Sequence, residues 1–128
     1  MIDYTRIRSS IESYLKTNYT ETLIEYQNVP LSNNDVREYI KIEDEDIDTD
    51  LYHTGILIIR IFTSVGIGTD RSKQIASILS SLIGMNEVDG IVFKQGILRN
   101  IPQDNTNSVY FVQELSFEYY DEGQKNNC

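Results

Sequence analysis

Cysteine and histidine are almost absent from this 128-residue chain, which contains one of each. The cysteine is Cys128, and a single thiol excludes an internal disulfide and a cysteine-based metal cluster within one chain. The histidine is His53, and no serine or cysteine nucleophile stands beside it in a recognisable setting. We therefore interpret His53 as a structural residue, and we predict no catalytic residue, cofactor or metal ion.

Basic residues are also scarce, because 11 Lys and Arg stand against 20 Asp and Glu and give a formal net charge of −9. A protein that grips nucleic acid needs a basic face for the phosphates, so the composition argues against that class. The longest apolar run, Ile56–Val65, contains Arg60 and has about half of the roughly 20 residues that a membrane helix needs. The first residues show neither a basic segment nor an apolar core, so we expect no secretory signal, no membrane association and synthesis in a cytoplasm.

What is present is an ordinary globular composition, with 40% hydrophobic and 24% charged residues. Such a chain has enough apolar surface for one core and little room for a second. Residues 121–128 are polar throughout, apart from Cys128, and termini fray unless they are tied down. We predict a single domain over residues 1–120 and a flexible polar C-terminal tail over 121–128.

The hydrophobic periodicity predicts an α+β fold, a mainly antiparallel sheet with two helices packed on one face. A helix is expected from Asp3 or Thr5 to about Thr17, and a second helix after Asp70 with an apolar stripe at Ile75, Ile78, Leu79, Leu82 and Ile83. The main strands are predicted at Val36–Ile42, Tyr52–Thr63 and Val109–Tyr119, with shorter extended segments at Thr22–Tyr26, Ile91–Phe93 and Gly96–Leu98. Because Tyr52–Thr63 has apolar residues on both parities, it is predicted to be central and covered on both faces.

One acidic run lies between the predicted strands and consists of Glu43, Asp44, Glu45, Asp46, Asp48 and Asp50. It differs from an EF-hand calcium loop, since counting from Asp44 places Thr49 where the loop needs glycine and Gly55 where it needs a bidentate glutamate. Six carboxylates in so short a run are too concentrated to bury. We predict a solvated hairpin tip.

Tyrosine is the abundant aromatic residue, with nine tyrosines and no tryptophan. Tyrosine offers large, rigid contact area and is enriched in protein interfaces. Tyr119 and Tyr120, beside the predicted tail, are therefore our candidates for a contact between subunits.

Three segments carry a resemblance to a known family over about the whole chain: Tyr4–Glu12 as the opening helix, Glu25–Pro30 as a strand and turn, and a central segment. The central segment is Tyr52-His53-Thr54-Gly55-Ile56-Leu57-Ile58-Ile59-Arg60-Ile61-Phe62, followed by Gly66-Ile67-Gly68-Thr69 before the second helix. In order and spacing these segments resemble the tail-terminator (tail completion) proteins of long-tailed bacteriophages.

The resemblance implies a structural virion protein that forms a homo-hexameric ring at the head-proximal end of the tail. Such a ring stops polymerisation of the tail tube protein, offers a surface to the head-tail connector protein, and leaves a passage for DNA without binding it specifically. The acidic composition agrees, because a wall that repels phosphate favours sliding of DNA. The six acidic residues are therefore candidates for the wall of the DNA passage, with a loop on the outer surface as the alternative.

Two other functions remain open from the sequence. Another head-tail connector protein or a minor tail protein would share the small α+β form and the acidic charge. A small metal-dependent nuclease built on the acidic run is the other alternative, although the sequence offers no basic groove for its substrate.

Overall fold

The computed structural model describes residues 3–20, 23–25, 38–48, 52–64, 70–101 and 110–125. It contains two helices, α1 (Arg6–Asn18) and α2 (Asp70–Ile83), within these residues. The strands of the described residues are β1 (Leu23–Glu25), β2 (Tyr39–Asp48), β3 (Tyr52–Ser64), β4 (Glu87–Val88), β5 (Ile91–Phe93), β6 (Ile97–Asn100) and β7 (Tyr110–Lys125). The predicted order of elements is confirmed, with the two-residue strand β4 in addition.

The seven strands of the described residues form one sheet in the order β1-β2-β3-β7-β5-β4. β6 also pairs with β7, at a different part of that strand from β5. Within the described residues every pairing is antiparallel except that of β1 with β2. Strand β3 lies between β2 and β7 and pairs with both along most of its length. The predicted α+β class with a mainly antiparallel sheet is confirmed.

The hydrophobic core lies between the two helices and one face of this sheet, which we call the helix face. Helix α1 contributes Ile7, Ile11 and Leu15 at helical spacing, and α2 contributes an equivalent stripe that includes Ile75, Leu79 and Ile83. Their partners are the alternate residues of three strands, Ile40 and Ile42 of β2, Leu57, Ile59 and Ile61 of β3, and Leu115 and Phe117 of β7. Because both stripes enter one core, the two helices lie on the same side of the sheet, as predicted.

The opposite face, which we call the outer face, carries the other parity of the same strands. On β3 it presents Ile56, Arg60 and Phe62, all half-buried, and no described element packs over them. Among the described residues β3 is covered on the helix face, and coverage of its outer face stays a prediction. Ile58 is only 8% exposed although it points outward, since its cross-strand neighbours Glu43 and Ser116 lie at either side.

Two strands extend beyond their predicted ends. β2 continues to Asp48, so most of the acidic run belongs to a paired strand and not to a hairpin tip. β7 continues to Lys125, so residues 121–125 lie in the sheet and not in a flexible tail, while 126–128 fall outside the described residues. Both strands continue because β3 supplies backbone hydrogen bonds to them. Successive side chains of a strand point to opposite faces, so neighbouring charged residues in the sequence are separated.

Candidate functional site

The acidic run, our first candidate from the sequence, is divided between the two faces of the sheet. Glu43 and Glu45 stand opposite Ile58 and Ile56 on the outer face, whereas Asp44 and Asp46 stand opposite Leu57 and Gly55 on the helix face. Asp48 lies in β2 beyond a register shift. Asp50 lies outside the described residues.

On the outer face Glu43 is held by basic side chains. Arg60 donates a hydrogen bond to its carboxylate, and the ammonium of Lys41 lies 3.6 Å away. Arg60 also approaches Glu114 of β7 at 3.9 Å, so three strands share one cation. Burial alone would raise the pKa of Glu43, but the bond and charge of Arg60, together with Lys41, lower it below its ordinary value.

On the helix face Nε2 of the fully buried His53 of β3 donates a hydrogen bond to the carboxylate of Asp46. The imidazole ring lies edge-on to two tyrosines, with centroids 5.3 Å from Tyr4 and 5.8 Å from Tyr119. His53 is thus enclosed by aromatic rings and a carboxylate. Such a setting suits a packed core side chain.

A second ion pair attaches the start of α1 to the end of the sheet. Nε of Arg6 donates to the carboxylate of Asp121 at 2.8 Å, and the Asp121 side chain is fully buried. The same guanidinium donates to the carbonyl of Asp89, in the turn between β4 and β5 where Asp89 and Gly90 have φ of 52° and 82°. The amide of Glu122 donates to the carbonyl of Gly90 at 2.9 Å. Helix α1, strand β7 and this turn therefore meet at one cation.

Asp44 lies on the helix face, and its charge is poorly compensated. Burial is the main influence that raises its pKa, and the charge of Asp46 adds to it, while Arg8 and His53 act in the opposite direction. Asp44 is half-buried on the face that carries the helices, and its place in a wall along a DNA passage stays a prediction. Asp46 pairs with His53 on the same face, but its side chain is 39% exposed, so its place in such a wall stays a prediction.

The two tyrosines predicted at a subunit contact point in opposite directions. Tyr119 is 2% exposed, and its ring lies directly under Gly55, where an added Cβ would fall 2.5 Å from the hydroxyl oxygen. It has no surface to offer a neighbour, so we withdraw Tyr119 as a contact residue. Tyr120 is half-buried on the outer face, 6.1 Å from the ring of Tyr52, and its role as a contact stays a prediction.

The outer face contains two shallow grooves that the sequence did not indicate. One, of about 540 Å³, has Ile56 at its floor and Lys94, Ile97 and Arg99 along it. The other, of about 270 Å³, is lined by residues that include Ile47, Thr54 and Tyr120. Ile47 and Ile97 are 62% and 53% exposed. An isoleucine between Asp46 and Asp48 is the signal that would have pointed to the second groove.

The described residues contain no group of three or more His, Cys, Asp or Glu side chains arranged to hold a metal ion. None of their helices is both long and apolar enough to cross a membrane.

Comparison with known proteins defines the fold. No protein-family model and no curated protein matches the chain. Among solved structures, one chain from the virion of a native gene transfer agent particle matches with a TM-score of 0.63 at 12% identity, covering 94% of this chain and 95% of that one. Another, of a protein without a functional name, matches with a TM-score of 0.63 at 16% identity and covers 100% of this chain and 99% of its own. The chain is thus an α+β protein whose whole fold also occurs in a virion component.

Proposed function

We propose that this chain is a structural, non-enzymatic virion protein of a phage-like particle, and that it forms the ring terminating the tail tube at its head-proximal end. The observation that carries the proposal is the match over nearly the full length of both chains to a component of a gene transfer agent virion. The sequence resemblance to tail-terminator proteins supports the finer assignment.

The outer face, over which no described element packs, supports an assembly role. A ring subunit needs surface for its neighbours, and this face combines exposed apolar side chains with charges that lie between them. The partners proposed are further copies of this chain, a tail tube protein and a head-tail connector protein.

The net charge supports the passage of DNA. Six copies at −9 each would carry roughly −54 charges, a potential that repels phosphate. On the outer face Glu118 of β7 is the described carboxylate best placed for the wall, because its side chain is exposed there.

Deleting the gene from the element that encodes the chain tests the proposal. A terminator predicts tails of uncontrolled length that fail to join heads, and recovery on complementation with the wild-type gene. Tails of normal length that fail to join heads would indicate a head-completion protein, and normal particles would contradict any virion role. Complementation with Lys16→Ala, an exposed position on α1, is the matched control.

Glu118→Lys tests the passage. The substitution should slow DNA ejection in a salt-sensitive manner while tail length stays normal, because a basic wall holds phosphate by releasing counter-ions. Asp70→Lys, at an exposed position on α2, should leave ejection unchanged. Normal ejection at low salt from correctly assembled particles would remove this part of the proposal.

A further inference from the structure

One edge of the sheet is apolar and basic. Strand β6 pairs with β7 along one side, and no described strand pairs with its other side. Its four residues are all exposed, with Ile97 opposite Ser116 on the outer face and Leu98 opposite Leu115 on the helix face. An exposed edge strand with apolar residues on both faces is a template for pairing with another strand.

The charges at this edge have one sign. Lys94 and Arg99 flank Ile97, and the segment 94–100 contains no acidic residue, in a chain with net charge −9. Lys94 lies 3.3 Å from Glu118, and Arg99 has no ion-pair partner among the described residues. The edge therefore favours an acidic partner strand.

The opposite edge of the same sheet has the complementary character. β1 pairs with β2 only at Tyr39, Ile40 and Lys41, and beyond Lys41 no other described strand lies on that side of β2. This open part carries the acidic run, and Glu45, Asp46 and Ile47 are all exposed. It presents carboxylates, one protruding apolar side chain and a backbone with which no described strand pairs.

We infer that the two edges join copies of this chain head to tail, with β6 of one copy pairing along the open part of β2 in the next. Lys94 and Arg99 then face Glu45 and its acidic neighbours, and Ile97 lies near Ile47. This inference rests on the proposed function and names the subunit contact of that ring. Head-to-tail contacts use two different patches on each copy and close into a ring when the rotation permits.

The registers of the two edges suit closure. β6 pairs with Gln113–Ser116 of β7, and through β3 these residues are level with Ile40–Glu43 of β2. At that level β1 pairs with part of β2. The open part of β2 is therefore displaced along the strand relative to β6. A sheet that closes on itself requires such a stagger.

Cysteine cross-linking tests the contact directly. In a Cys128→Ser background, Ile47→Cys and Ile97→Cys in the same chain should give a ladder of species up to the ring when assembled particles are treated with a short bis-maleimide. The matched pair Ser9→Cys and Lys73→Cys, both exposed on the helices, should give monomer. A ladder from the control pair alone, or monomer from both pairs in particles that contain the chain, would overturn the edge contact and leave the proposed function standing.

If the chain is missing from purified particles, the proposed function fails, and concentrated purified protein then decides the edge contact by the same cross-linking. A ladder from Ile47→Cys and Ile97→Cys would support it, and monomer alone would overturn it. Melting curves for each variant establish that the chains are folded.

Charge reversal provides a second readout. Arg99→Glu should raise about tenfold the protein concentration needed for cross-linking, because it sets like charges against each other. Adding Glu45→Arg should restore most of the loss. Absence of rescue, in double variants that melt like the wild type, would contradict the complementary arrangement.

Discussion

Glu43 and Asp44 are neighbours in one strand, yet the two faces of the sheet treat them in opposite ways. Glu43 points to the outer face, where Arg60 stabilises its charge and its pKa is lowered. Asp44 points under α1, where burial and Asp46 oppose its charge and its pKa is raised. The same acidic composition therefore provides a charge stabilised by a cation at one position and a poorly compensated charge at the next. What separates them is the alternation of a strand and the presence of helices on one side only.

The largest contrast between the faces should appear in packing. Leu79→Ala removes a fully buried side chain between α2 and the sheet, and we expect it to lower the free energy of unfolding by about 2 to 5 kcal/mol. Ile58→Ala, on the outer face, should cost less than about 2 kcal/mol, because solvent can fill the space. Urea denaturation of both variants measures the difference, and equal losses would mean that the outer face is covered.

Breaking an ion pair should likewise lower the free energy of unfolding more on the helix face than on the outer face. Arg6→Met removes the guanidinium that pairs with the fully buried Asp121 and should cost about 3 kcal/mol. Arg60→Met removes the cation beside Glu43. Because both side chains of this pair are partly exposed, solvent screening should keep the loss of stability below about 1 kcal/mol. Thermal unfolding at low and high salt checks this, since only the outer pair should respond to salt appreciably. A larger loss from Arg60→Met would reverse our view of the two faces.

Gly55 should be intolerant of a side chain. An added Cβ would collide with the carbonyl oxygen of Glu45 and with the ring of Tyr119. We expect Gly55→Ala to cost about 1 to 3 kcal/mol, because the backbone of β2 and the buried ring must both move. Thr54→Ala, at the adjacent half-buried position, is the control, and a neutral Gly55→Ala in urea denaturation would contradict the close packing.

The smallest effects should be those of the two neighbouring carboxylates, and they should have opposite signs. Because the pKa of Asp44 is raised, the contribution of this residue to stability is fully present below the ordinary pKa of 3.8 and is lost as pH rises through the folded-state pKa. The lowered pKa of Glu43 means that its contribution is present above the ordinary 4.5 and is lost as pH falls through the folded-state pKa. Both side chains are partly exposed, so each effect should be below about 1 kcal/mol.

Asp44→Asn should therefore raise the melting temperature at neutral pH, and Glu43→Gln should lower it. Both differences should shrink in acid, where the wild-type carboxylates are protonated. Melting curves across this pH range give the comparison, and a shift of the same sign for both variants at neutral pH would contradict it.

Much of the fold was predictable because periodicity reports local geometry. The stripes at Ile7 and Ile11 and at Ile75 and Leu79 identified both helices, and the β-branched run at Tyr52–Thr63 identified the central strand. The C-terminal ends of β2 and β7 were not predictable, because their polar residues stay extended only through pairing with β3. For β7 that partner strand is distant in the sequence. Tertiary pairing of this kind overrides local composition.

The candidate residues were predicted less well than the fold. The density of carboxylates in the acidic run suggested a loop, and only the register reveals which face each side chain takes. Tyr119 and Tyr120 looked equivalent in sequence, and alternation separates them in the same way. The edge strand β6 carries no motif, and its exposure depends on where the sheet ends.

The most direct measurement of the central claim is a cryo-electron microscopy reconstruction of particles from the element that encodes this chain. Our account predicts six copies in a closed ring between the tail tube and the head, with the sheet continuous from β6 of one copy to β2 of the next. Particles that lack the chain, or that contain it as a single copy without symmetric neighbours, would contradict the account.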